Sequence, residues 1–344
     1  MADFGGWMMP IEYPEYGVLA EHAAVRERVG IFDVSHLGKA RVSGPGALDF
    51  LNAQVTNDLT KISDSSAQYT LMCDSNGGVI DDLIIYRSSD ANLFLIPNAA
   101  NTSTVVSVLQ AAAPRSITVE NLHEHHAVIA VQGPRSGDLL RTLGIEPQID
   151  YMAFSEIVIA GEKATLCRTG YTGEYGFEIV PSWQNAGAVW DLLVDAMADF
   201  SGAVCGLGAR DTLRTEMGYP LHGHELTLDI SPVQAAATWA VAWEKEFVGR
   251  AALLAQRENS TISRIRALKS LDRGIPRAGM KVVRDGQVIG EVTSGTFSPT
   301  LKVGIGLALL PRDIKKGDVL TIDIRGRLSQ AEVVTLPFVP SHVR

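Results

Sequence analysis

The sequence is short of cysteine and of positive charge. Its three cysteines, Cys73, Cys167 and Cys205, lie far apart in 344 residues. Such a scattered, odd set fits neither a disulfide framework nor a CxxC metal site, so we expect reduced residues of the core or its edge. With 30 Lys and Arg against 39 Asp and Glu, the formal charge is -9. This balance argues against nucleic acid or an anionic membrane as a partner over a broad face.

Long apolar runs and a basic N-terminal segment are also missing. No apolar run approaches the ~18 residues that a membrane helix needs. No Lys or Arg precedes Arg26, so neither a secretory signal nor an Arg-rich transit peptide is predicted. We therefore expect a cytoplasmic protein.

What the sequence contains is typical of a globular protein. At 46% hydrophobic and 20% charged residues, the chain can bury a large core, and its length suggests two or three domains. Helical and strand patterns are mixed, which predicts an α+β fold with mostly antiparallel sheets. After Arg264, short strands with glycine turns predict a separate small β-barrel or jelly roll.

Individual elements follow from periodicity, caps and turn residues. Helices are predicted at 19–29, 183–200, 208–217 and 232–243. An antiparallel meander is predicted from the strand runs 67–73, 79–87 and 93–97.

Two histidine clusters raise the question of a metal site. They are HEHH at 123–126 and HGHE at 222–225. Neither has the i, i+4 helical pair of a zinc protease, and no cysteine lies nearby in the sequence. We expect solvated loop histidines and no metal.

The stretch CGLGARD at 205–211 carries two glycines of a dinucleotide-binding pattern. Asp211 stands where the third glycine belongs, and the surroundings are not βαβ. We predict a loop that enters a helix, with Arg210 in its first turn. Two roles stay open for Arg210, a bidentate contact to a ligand carboxylate and a surface salt bridge.

The stretch GGVIDDLIIYR at 77–87 predicts a strand with two adjacent carboxylates in its interior. Because side chains alternate along a strand, Asp81 and Asp82 point to opposite faces, and both faces are otherwise apolar. At least one carboxylate therefore points toward apolar surroundings, where ionisation is costly without partners.

Counting residues across the meander suggests those partners. A DSNG loop between the first two strands places Tyr69 opposite Asp82. A loop at 89–91 pairs Ser88 with Asn92 and places Asn98 opposite Asp82. A shift of one residue in this loop would place Asn98 opposite Asp81 instead.

The stretch GYTGEYGFEIV at 170–180 is a glycine-punctuated loop with two tyrosines that leads into a strand. One interpretation is a turn-rich hairpin with Glu178 at its edge. The other is a pocket with aromatic walls, in which Glu178 pairs with the adjacent N–H donors of a flat heterocycle.

Taken in order, the motifs resemble the aminomethyltransferase or T-protein family of the glycine cleavage system. The resemblance rests on DFGGWMMPIEY, GIFDVSHLG, QYTLMCDSNGGVIDDLIIY, PNAAN, VQGP, GYTGEYGFEI, GLGARDTLR, TSGTFSPTL and LPF, which extend over nearly the whole chain. Two departures stand out: Leu37 occupies a position that is usually methionine, and the ending PFVPSHVR differs from the family's aromatic or basic tails.

The resemblance implies a three-domain cloverleaf around a central folate site. A discontinuous α+β domain would comprise residues 1–50 and 134–245. A second α+β domain with the meander would comprise 51–133, and a C-terminal β-barrel domain with a helical linker would comprise 246–344.

The resemblance also implies the activity. The aminomethyl group on the dihydrolipoyl arm of the H-protein would pass to tetrahydrofolate, giving 5,10-methylenetetrahydrofolate and ammonia. Asp82 would be the catalytic carboxylate, Glu178 would hold the pterin, Arg210 would contact folate, and Asn98 and Tyr69 would line the pocket. The lipoylated H-protein would be the direct partner, and other glycine cleavage components would be indirect ones.

Two other functions are compatible with the same fold, because fold does not fix function. One is a tetrahydrofolate-dependent demethylase of a small methylated compound. The other is a non-catalytic folate-binding iron–sulphur assembly factor. Its Lys-Gly-Cys-x-x-Gly-Gln-Glu type of motif has no counterpart here, since the chain reads AVCGLGARD around Cys205.

Overall fold

The computed structural model describes all 344 residues, which form two compact units. Unit 1 comprises Met1–Met72, Asp81–Arg210 and His342–Arg344. Unit 2 comprises Cys73–Ile80 and Asp211–Ser341. The boundaries of three domains stay a prediction.

The helices are short, with one or more buried faces. In chain order they are α1 (Gly17–Glu27), α2 (Ala47–Gln54), α3 (Thr102–Ala112), α4 (Ser136–Thr142), α5 (Ala186–Met197), α6 (Leu207–Met217) and α7 (Arg250–Glu258).

The strands before α7 form one hairpin and two sheets. They are β1 (Ala2–Phe4), β2 (Trp7–Met9), β3 (Gly30–Asp33), β4 (Ala40–Ser43), β5 (Ser66–Cys73), β6 (Val79–Ser89), β7 (Asn92–Ile96), β8 (Thr118–Asn121), β9 (Ile129–Gln132), β10 (Phe154–Ile159), β11 (Glu162–Cys167), β12 (Gly176–Val180) and β13 (Ala203–Val204). One sheet has the order β10-β11-β12-β9-β3-β13, and the other has the order β5-β6-β7-β4-β8. Strands β13 and β3 pair in parallel, whereas the other ladders of the six-stranded sheet are antiparallel.

Unit 2 contains a closed barrel, as the glycine-punctuated strands after Arg264 predict. Its strands are β14 (Arg264–Ser270), β15 (Lys281–Arg284), β16 (Gln287–Ser298), β17 (Val303–Leu310), β18 (Val319–Ile324) and β19 (Arg327–Val334). They follow the order β14-β17-β16-β15-β18-β19, and β19 pairs with β14 to close the barrel. Inward-facing residues such as Val282, Val292 and Leu320 fill its core, which is the alternation expected of barrel strands.

The six-stranded sheet packs one face against helices. Leu139 and Leu140 of α4 and Val189 and Leu193 of α5 join a buried cluster with sheet residues that include Phe177. Strands β9 and β12 are neighbours in the interior of this sheet. They carry Gln132 and Glu178, which are described with the site below.

Most predicted elements are present, but the helix predicted at 232–243 is not. The segment 232–243 begins with a turn in which Ser231 Oγ accepts a hydrogen bond from the Gln234 backbone N–H at 3.4 Å. Ala236 then adopts a φ of 59°, a left-handed conformation that ends a right-handed helix. Only a short 3-10 turn, Thr238–Ala240, follows.

The three cysteines are buried and free of disulfide bonds, as predicted. No helix is both long and apolar enough to cross a membrane.

Candidate active site

The two aspartates of β6 lie on opposite faces of the strand. Asp81 shares its face with Leu83 and Ile85, and all three side chains are buried. Asp82 shares the other face with Ile84, where burial is only partial. Alternation along the strand thus assigns one carboxylate to the core and leaves the other partly open.

Asp82 is held from the strands on both sides of β6. Its Oδ2 accepts a hydrogen bond from the Tyr69 hydroxyl of β5 at 2.9 Å. Its Oδ1 accepts one at 2.9 Å from Nδ2 of Asn98, which follows β7. Both carboxylate oxygens are therefore fixed by donors that carry no charge.

Asp81 accepts hydrogen bonds from the turn after β7. The Asn98 backbone N–H donates to Asp81 Oδ2 at 2.9 Å, and the Asn101 side chain donates to Oδ1 at 2.7 Å. Burial, and then the charge of Asp82, raise the pKa of the Asp81 carboxyl. Asp81 has the structural surroundings expected of a core carboxylate.

Asn98 couples the two carboxylates. Its Nδ2 lies 2.9 Å from each of three acceptors, Asp81 Oδ1, Asp82 Oδ1 and the Asp82 carbonyl. An amide nitrogen has only two hydrogens, so at least one of them is shared. The counting argument offered Asp81 and Asp82 as alternatives, and Asn98 contacts both.

The ladder between β6 and β7 differs in detail from the predicted one. Ser89 pairs with Asn92, so the loop has two residues, and the predicted pairing of Ser88 with Asn92 is wrong. A β-bulge between Arg87 and Ser89 then shifts the pairing by one, so that Arg87 pairs with Leu93. The bulge restores the register that the three-residue loop predicts for the rest of the ladder.

A cleft lies in unit 1. Its lining combines a carboxylate, a guanidinium, an amide and aromatic rings. The lining residues are Phe32, Val34, Ala130, Gln132, Tyr171, Thr172, Glu178 and Arg210. Aromatic and apolar walls with a few convergent polar groups are typical of small-molecule sites, so this cleft is the candidate binding site.

Glu178 of β12 is the buried carboxylate of the cleft, at 9% exposure. Its Oε2 accepts a hydrogen bond from the Thr169 hydroxyl. Burial raises the pKa of Glu178, while the Thr169 hydrogen bond and the charge of Arg210 oppose that rise. The Arg210 guanidinium lies 4.9 Å from the centre of the Tyr171 ring. A carboxylate in this setting is an acceptor for N–H donors of a ligand.

Gln132 at the end of β9 fixes the loop between β11 and β12. Its Nε2 donates to the Thr169 carbonyl at 3.2 Å and to the Phe177 carbonyl at 3.0 Å. Its Oε1 accepts a hydrogen bond from the Thr172 hydroxyl at 2.7 Å. One buried side chain thus holds both ends of the loop.

The same loop needs glycine where it passes over Gln132. A Cβ atom at Gly170 would lie 2.2 Å from Gln132 Oε1, and one at Gly176 would lie 2.6 Å from the Gln132 amide. Both distances are shorter than any ordinary van der Waals contact, so a larger residue at either position would displace Gln132.

Electrostatic coupling links the Asp82 cluster to the cleft. Burial raises the pKa of the Tyr69 hydroxyl, and Asp82 and then Tyr171 raise it further. Tyr171 lines the cleft, so Tyr69 interacts with Asp82 on one side and with a cleft residue on the other. The five predicted site residues accordingly form two neighbouring groups: Tyr69, Asp82 and Asn98, and Glu178 and Arg210.

Some residues of the predicted pocket have other roles. Of the two tyrosines of the glycine-rich loop, only Tyr171 lines the cleft. Tyr175 instead packs edge-on against Phe177, and Arg168 lies 3.9 Å from the centre of its ring. Sequence reasoning missed Gln132 and Thr169, although Gln132 stands in the VQGP motif.

The prediction of solvated histidines is wrong at several positions. In unit 2, His222 Nε2 lies 3.1 Å from the Val79 carbonyl, and His224 Nδ1 lies 2.7 Å from the Thr293 carbonyl. In unit 1, the His123 ring is partly buried and packs edge-on against Trp7. These imidazoles bond or pack locally because carbonyl groups and a ring of neighbouring strands lie within reach. No group of His, Cys, Asp or Glu side chains is arranged to hold a metal ion.

Mostly antiparallel sheets, a closed barrel and a cleft with a buried carboxylate define an α+β protein with a candidate small-molecule site. Comparisons with known proteins identify the family. The GCVT N-terminal domain matches residues 1–245, and the glycine cleavage T-protein C-terminal barrel domain matches residues 264–340. The chain belongs to the glycine cleavage T-protein family.

Individual relatives are similar over nearly their full length. An aminomethyltransferase of Parafrankia sp. (strain EAN1pec) is 56% identical over 345 residues, which cover 100% of this chain and 94% of the relative. The aminomethyltransferase of Mycobacterium tuberculosis (strain ATCC 25618 / H37Rv) is 54% identical over 346 residues, with the same coverage.

A solved structure is similar in fold as well. The crystal structure of the glycine cleavage system aminomethyltransferase T from Bartonella henselae matches with a TM-score of 0.92 at 33% identity, covering 99% of this chain and 94% of that one. The resemblance stated from the motifs and the predicted α+β class with a C-terminal barrel are both confirmed.

Proposed function

We propose that Glu178 and Arg210 hold the pterin of tetrahydrofolate in the cleft, and that Asp82 is the carboxylate that acts at the reacting nitrogen. The activity follows from family membership: the chain is an aminomethyltransferase of the glycine cleavage system and uses tetrahydrofolate as a substrate. The observation that carries the proposal is that a buried carboxylate and a guanidinium line one cleft together with two aromatic rings.

The chemistry of the cleft fits a pterin. A pterin is a flat heterocycle that presents adjacent N–H donors, and both oxygens of the Glu178 carboxylate accept hydrogen bonds when it is ionised. Phe32 and Tyr171 supply aromatic walls, and the Gln132 amide lies in the same lining. Apolar walls with a few fixed polar groups are what ligand sites generally show.

Asp82 has two tasks in the reaction. It takes the proton that the attacking folate nitrogen must lose, a role typically worth ~10²–10⁴-fold in rate. Its negative charge also stabilises the cationic, iminium-like species from which ammonia leaves. Tyr69 and Asn98 keep its two oxygens in place for both tasks.

We further propose that the donor is the aminomethyl group on the lipoyl arm of the H-protein, and that the reaction takes place in the cytoplasm. Membership in the glycine cleavage system supports this donor. Three buried cysteines without disulfide bonds are typical of a reducing compartment.

One assay tests the reaction and its donor together. Methylenetetrahydrofolate is measured with tetrahydrofolate and aminomethylated H-protein, with this chain present and absent. Free methylated amines and sulfonium compounds replace the H-protein in parallel reactions, in which 5-methyltetrahydrofolate is also measured, because a methyl group that passes to folate without an oxidant gives that product. We expect product only with the H-protein. Turnover of a free methylated compound without H-protein activity would favour the demethylase instead.

A further inference from the structure

We propose that Thr169 and Tyr86 form a hydroxyl relay that positions Glu178 and keeps it ionised for the pterin. This inference rests on the proposed role of Glu178. Thr169 and Tyr86 are positioning residues, since they act on the ligand through the Glu178 carboxylate.

The relay consists of three buried side chains in unit 1. Tyr86 lies in β6 and is among the largest fully buried side chains, Thr169 is 2% exposed, and Glu178 is 9% exposed. The Tyr86 hydroxyl lies 3.1 Å from Thr169 Oγ1. Thr169 Oγ1 in turn donates to Glu178 Oε2. The contacts run unbroken from the strand of the two aspartates to the carboxylate of the cleft.

The direction of the hydrogen bonds follows from the number of protons. An ionised carboxylate is an acceptor only, and a threonine hydroxyl carries a single hydrogen. Because Thr169 gives its hydrogen to Glu178, its oxygen accepts the hydrogen of Tyr86. Each donor in such a chain is polarised by the next, so the Tyr86 contact strengthens the Thr169 bond to the carboxylate.

Thr169 is itself held in place by the backbone. Gln132 Nε2 donates to the Thr169 carbonyl at 3.2 Å. The side chain and the main chain of Thr169 are therefore fixed by different partners, Tyr86 on one side and Gln132 on the other. A hydroxyl fixed in this way holds one oxygen of Glu178 and leaves the other for a ligand.

The groups around Glu178 differ in how they respond to pH. They are Arg210, Tyr86, Tyr151 and Cys167, and Tyr171 lines the same cleft. Arginine stays protonated in proteins. Burial raises the pKa of Tyr86, Tyr151 and the thiol above their ordinary values, so these three groups stay neutral between pH 6 and 8.5. Asp81, whose pKa is raised to about 7, is present in the wild type and in every Thr169 variant, so the difference between their pH profiles reports on Glu178.

Loss of the Thr169 hydroxyl shifts the pKa of Glu178 upward. Burial already raises the pKa of Glu178, and the Thr169 hydroxyl opposes that rise. Removal of the hydroxyl raises the pKa further, so the carboxylate takes up a proton at a higher pH. A protonated Glu178 loses an acceptor for the pterin, and folate affinity therefore falls as the pH is lowered.

The test is the dissociation constant of tetrahydrofolate, measured anaerobically by calorimetry from pH 6 to 8.5 with the full chain. For Thr169→Val we expect binding roughly 10-fold weaker at pH 6 and a smaller loss at pH 8.5, as for a lost hydrogen bond to a charged group. Thr169→Ser should restore the wild-type profile. Tyr86→Phe should shift the profile in the same direction by a smaller amount.

Two further measurements separate the relay from a general loss of structure. Thr165→Val makes the same chemical change in β11, outside the relay, and should leave the profile unchanged. Turnover at saturating folate should stay near wild type in Thr169→Val, while KM for folate rises at low pH. If Thr169→Val does not fold, Tyr86→Phe and Thr169→Ser decide the question.

The outcomes also separate this proposal from the one on which it rests. If Glu178→Gln leaves the dissociation constant unchanged, Glu178 does not hold the pterin and both proposals fail. If Glu178→Gln weakens binding while Thr169→Val and Tyr86→Phe keep the wild-type pH profile, only the relay is overturned.

Discussion

Two adjacent carboxylates repel each other, and β6 places them on opposite faces, where they share Asn98 and each has one further partner of its own. Asp81 is fully buried and accepts hydrogen bonds from the turn after β7. Asp82 is partly exposed and is held by Tyr69 and Asn98. Burial and the neighbouring charge raise the pKa of Asp81, so repulsion within the pair acts mainly on the core member.

Asp82→Asn separates catalysis from binding. An asparagine still accepts hydrogen bonds at one oxygen but neither takes a proton nor carries charge. We expect turnover to fall by about 10²–10⁴-fold, with folate affinity close to wild type. Steady-state kinetics with aminomethylated H-protein, and calorimetry with tetrahydrofolate, measure the two effects.

Asp81→Asn is the matched control on the opposite face. Its new amide group would face the donors of Asn98 and Asn101, and the loss of paired acceptors costs about 1–3 kcal/mol of stability. A lower urea midpoint is therefore expected for Asp81→Asn, whereas Asp82→Asn should unfold near the wild-type concentration. Near-normal turnover in Asp82→Asn would show that the carboxylate is not needed.

The residues around Asp82 could be predicted, and those around Glu178 only in part. Strand alternation and loop counting bring Tyr69 to Asp82 and place Asn98 opposite Asp82 or Asp81, because all of them lie in one local meander. Gln132 and Thr169 are distant in sequence and meet where a loop crosses the end of another strand. No local pattern reports such a crossing, so these two residues are visible only in the folded chain.

Elements of unit 1 are matched to one another at a few close contacts, and one of them is the passage of the loop between β11 and β12 over Gln132. Gly170→Ala would place a methyl group 2.2 Å from Gln132 Oε1. Either the loop or the amide must move, and both line or border the cleft. We expect folate affinity to drop about 10-fold, which corresponds to about 1.4 kcal/mol of binding free energy.

Gly187→Ala is the control for this change. Gly187 lies in α5, and nothing lies within 4 Å of an added Cβ atom there. Alanine favours a helix by roughly 0.8–1.0 kcal/mol over glycine, so Gly187→Ala should raise the melting temperature and leave folate binding unchanged. Wild-type affinity in Gly170→Ala would mean that the Gln132 contact does not shape the cleft.

The N-terminal hairpin β1–β2 packs on a histidine that cannot easily be protonated. Phe4 lies edge-on to His36, with ring centroids 5.5 Å apart. His36 is 2% exposed, and neither of its ring nitrogens has a hydrogen-bond partner in the structure. Burial, aided by the charge of Arg210, lowers the pKa of His36 to about 3.

This histidine should destabilise the fold in mild acid. Below its ordinary pKa of about 6.5, the imidazole is protonated in the unfolded chain but stays neutral in the folded one. The free energy of unfolding therefore falls as the pH drops from 6.5, by about 1.4 kcal/mol per pH unit from this site alone. By pH 5 the loss amounts to roughly 2 kcal/mol.

His36→Phe should remove this dependence while keeping the ring contact. We expect its urea midpoint to change less between pH 7 and pH 5 than that of the wild type. His125→Phe alters an exposed histidine and should keep the wild-type dependence. An unchanged slope in His36→Phe would exclude His36 as the source.

Element prediction failed where the backbone departs from regular geometry. The segment 232–243 has a serine cap and a proline at the expected first helical position, and both favour a helix. The positive φ of Ala236 stops it after one turn. Alanine rarely adopts that conformation on its own account, so tertiary packing imposes it and the sequence carries no signal for it.

At the scale of the whole molecule, unit 1 includes a segment from the far end of the chain. The His342 N–H donates to the Gly173 carbonyl at 2.7 Å, and His342 Nδ1 lies 3.0 Å from Glu174 Oε2. Arg168 Nη2 donates to the Val343 carbonyl at 2.8 Å. The segment His342–Arg344 thus binds the loop that carries Tyr171 and Thr172 to the cleft.

Deletion of residues 342–344 should loosen that loop. We expect faster amide hydrogen exchange at 170–175 and a several-fold rise in the folate dissociation constant, because the loop is then ordered only when the ligand binds. Deletion of Arg344 alone keeps the contacts of His342 and Val343 and should behave as wild type. Equal exchange rates in the longer deletion and the wild type would mean that this segment does not order the loop.

The C-terminal barrel could be predicted from the sequence, whereas the division of the chain into two compact units could not. Short strands with glycine turns after Arg264 predicted the barrel, because strand spacing and turns are local properties. The two compact units depend on where distant segments pack, as the assignment of His342–Arg344 to unit 1 illustrates. Such packing is not encoded in any single stretch of the chain.

The turn between β6 and β7 and the bulge between Arg87 and Ser89 together set the register of the two strands. The positions of the active-site residues on these strands therefore depend on the length of that turn. The two-residue turn alone would align β6 with β7 one position away, and the bulge corrects that offset. An insertion or deletion of a single residue there would shift β6 against β7 and exchange the positions of Asp81 and Asp82 relative to Asn98. In related proteins, a change in the length of this turn should therefore be accompanied by gain or loss of the bulge.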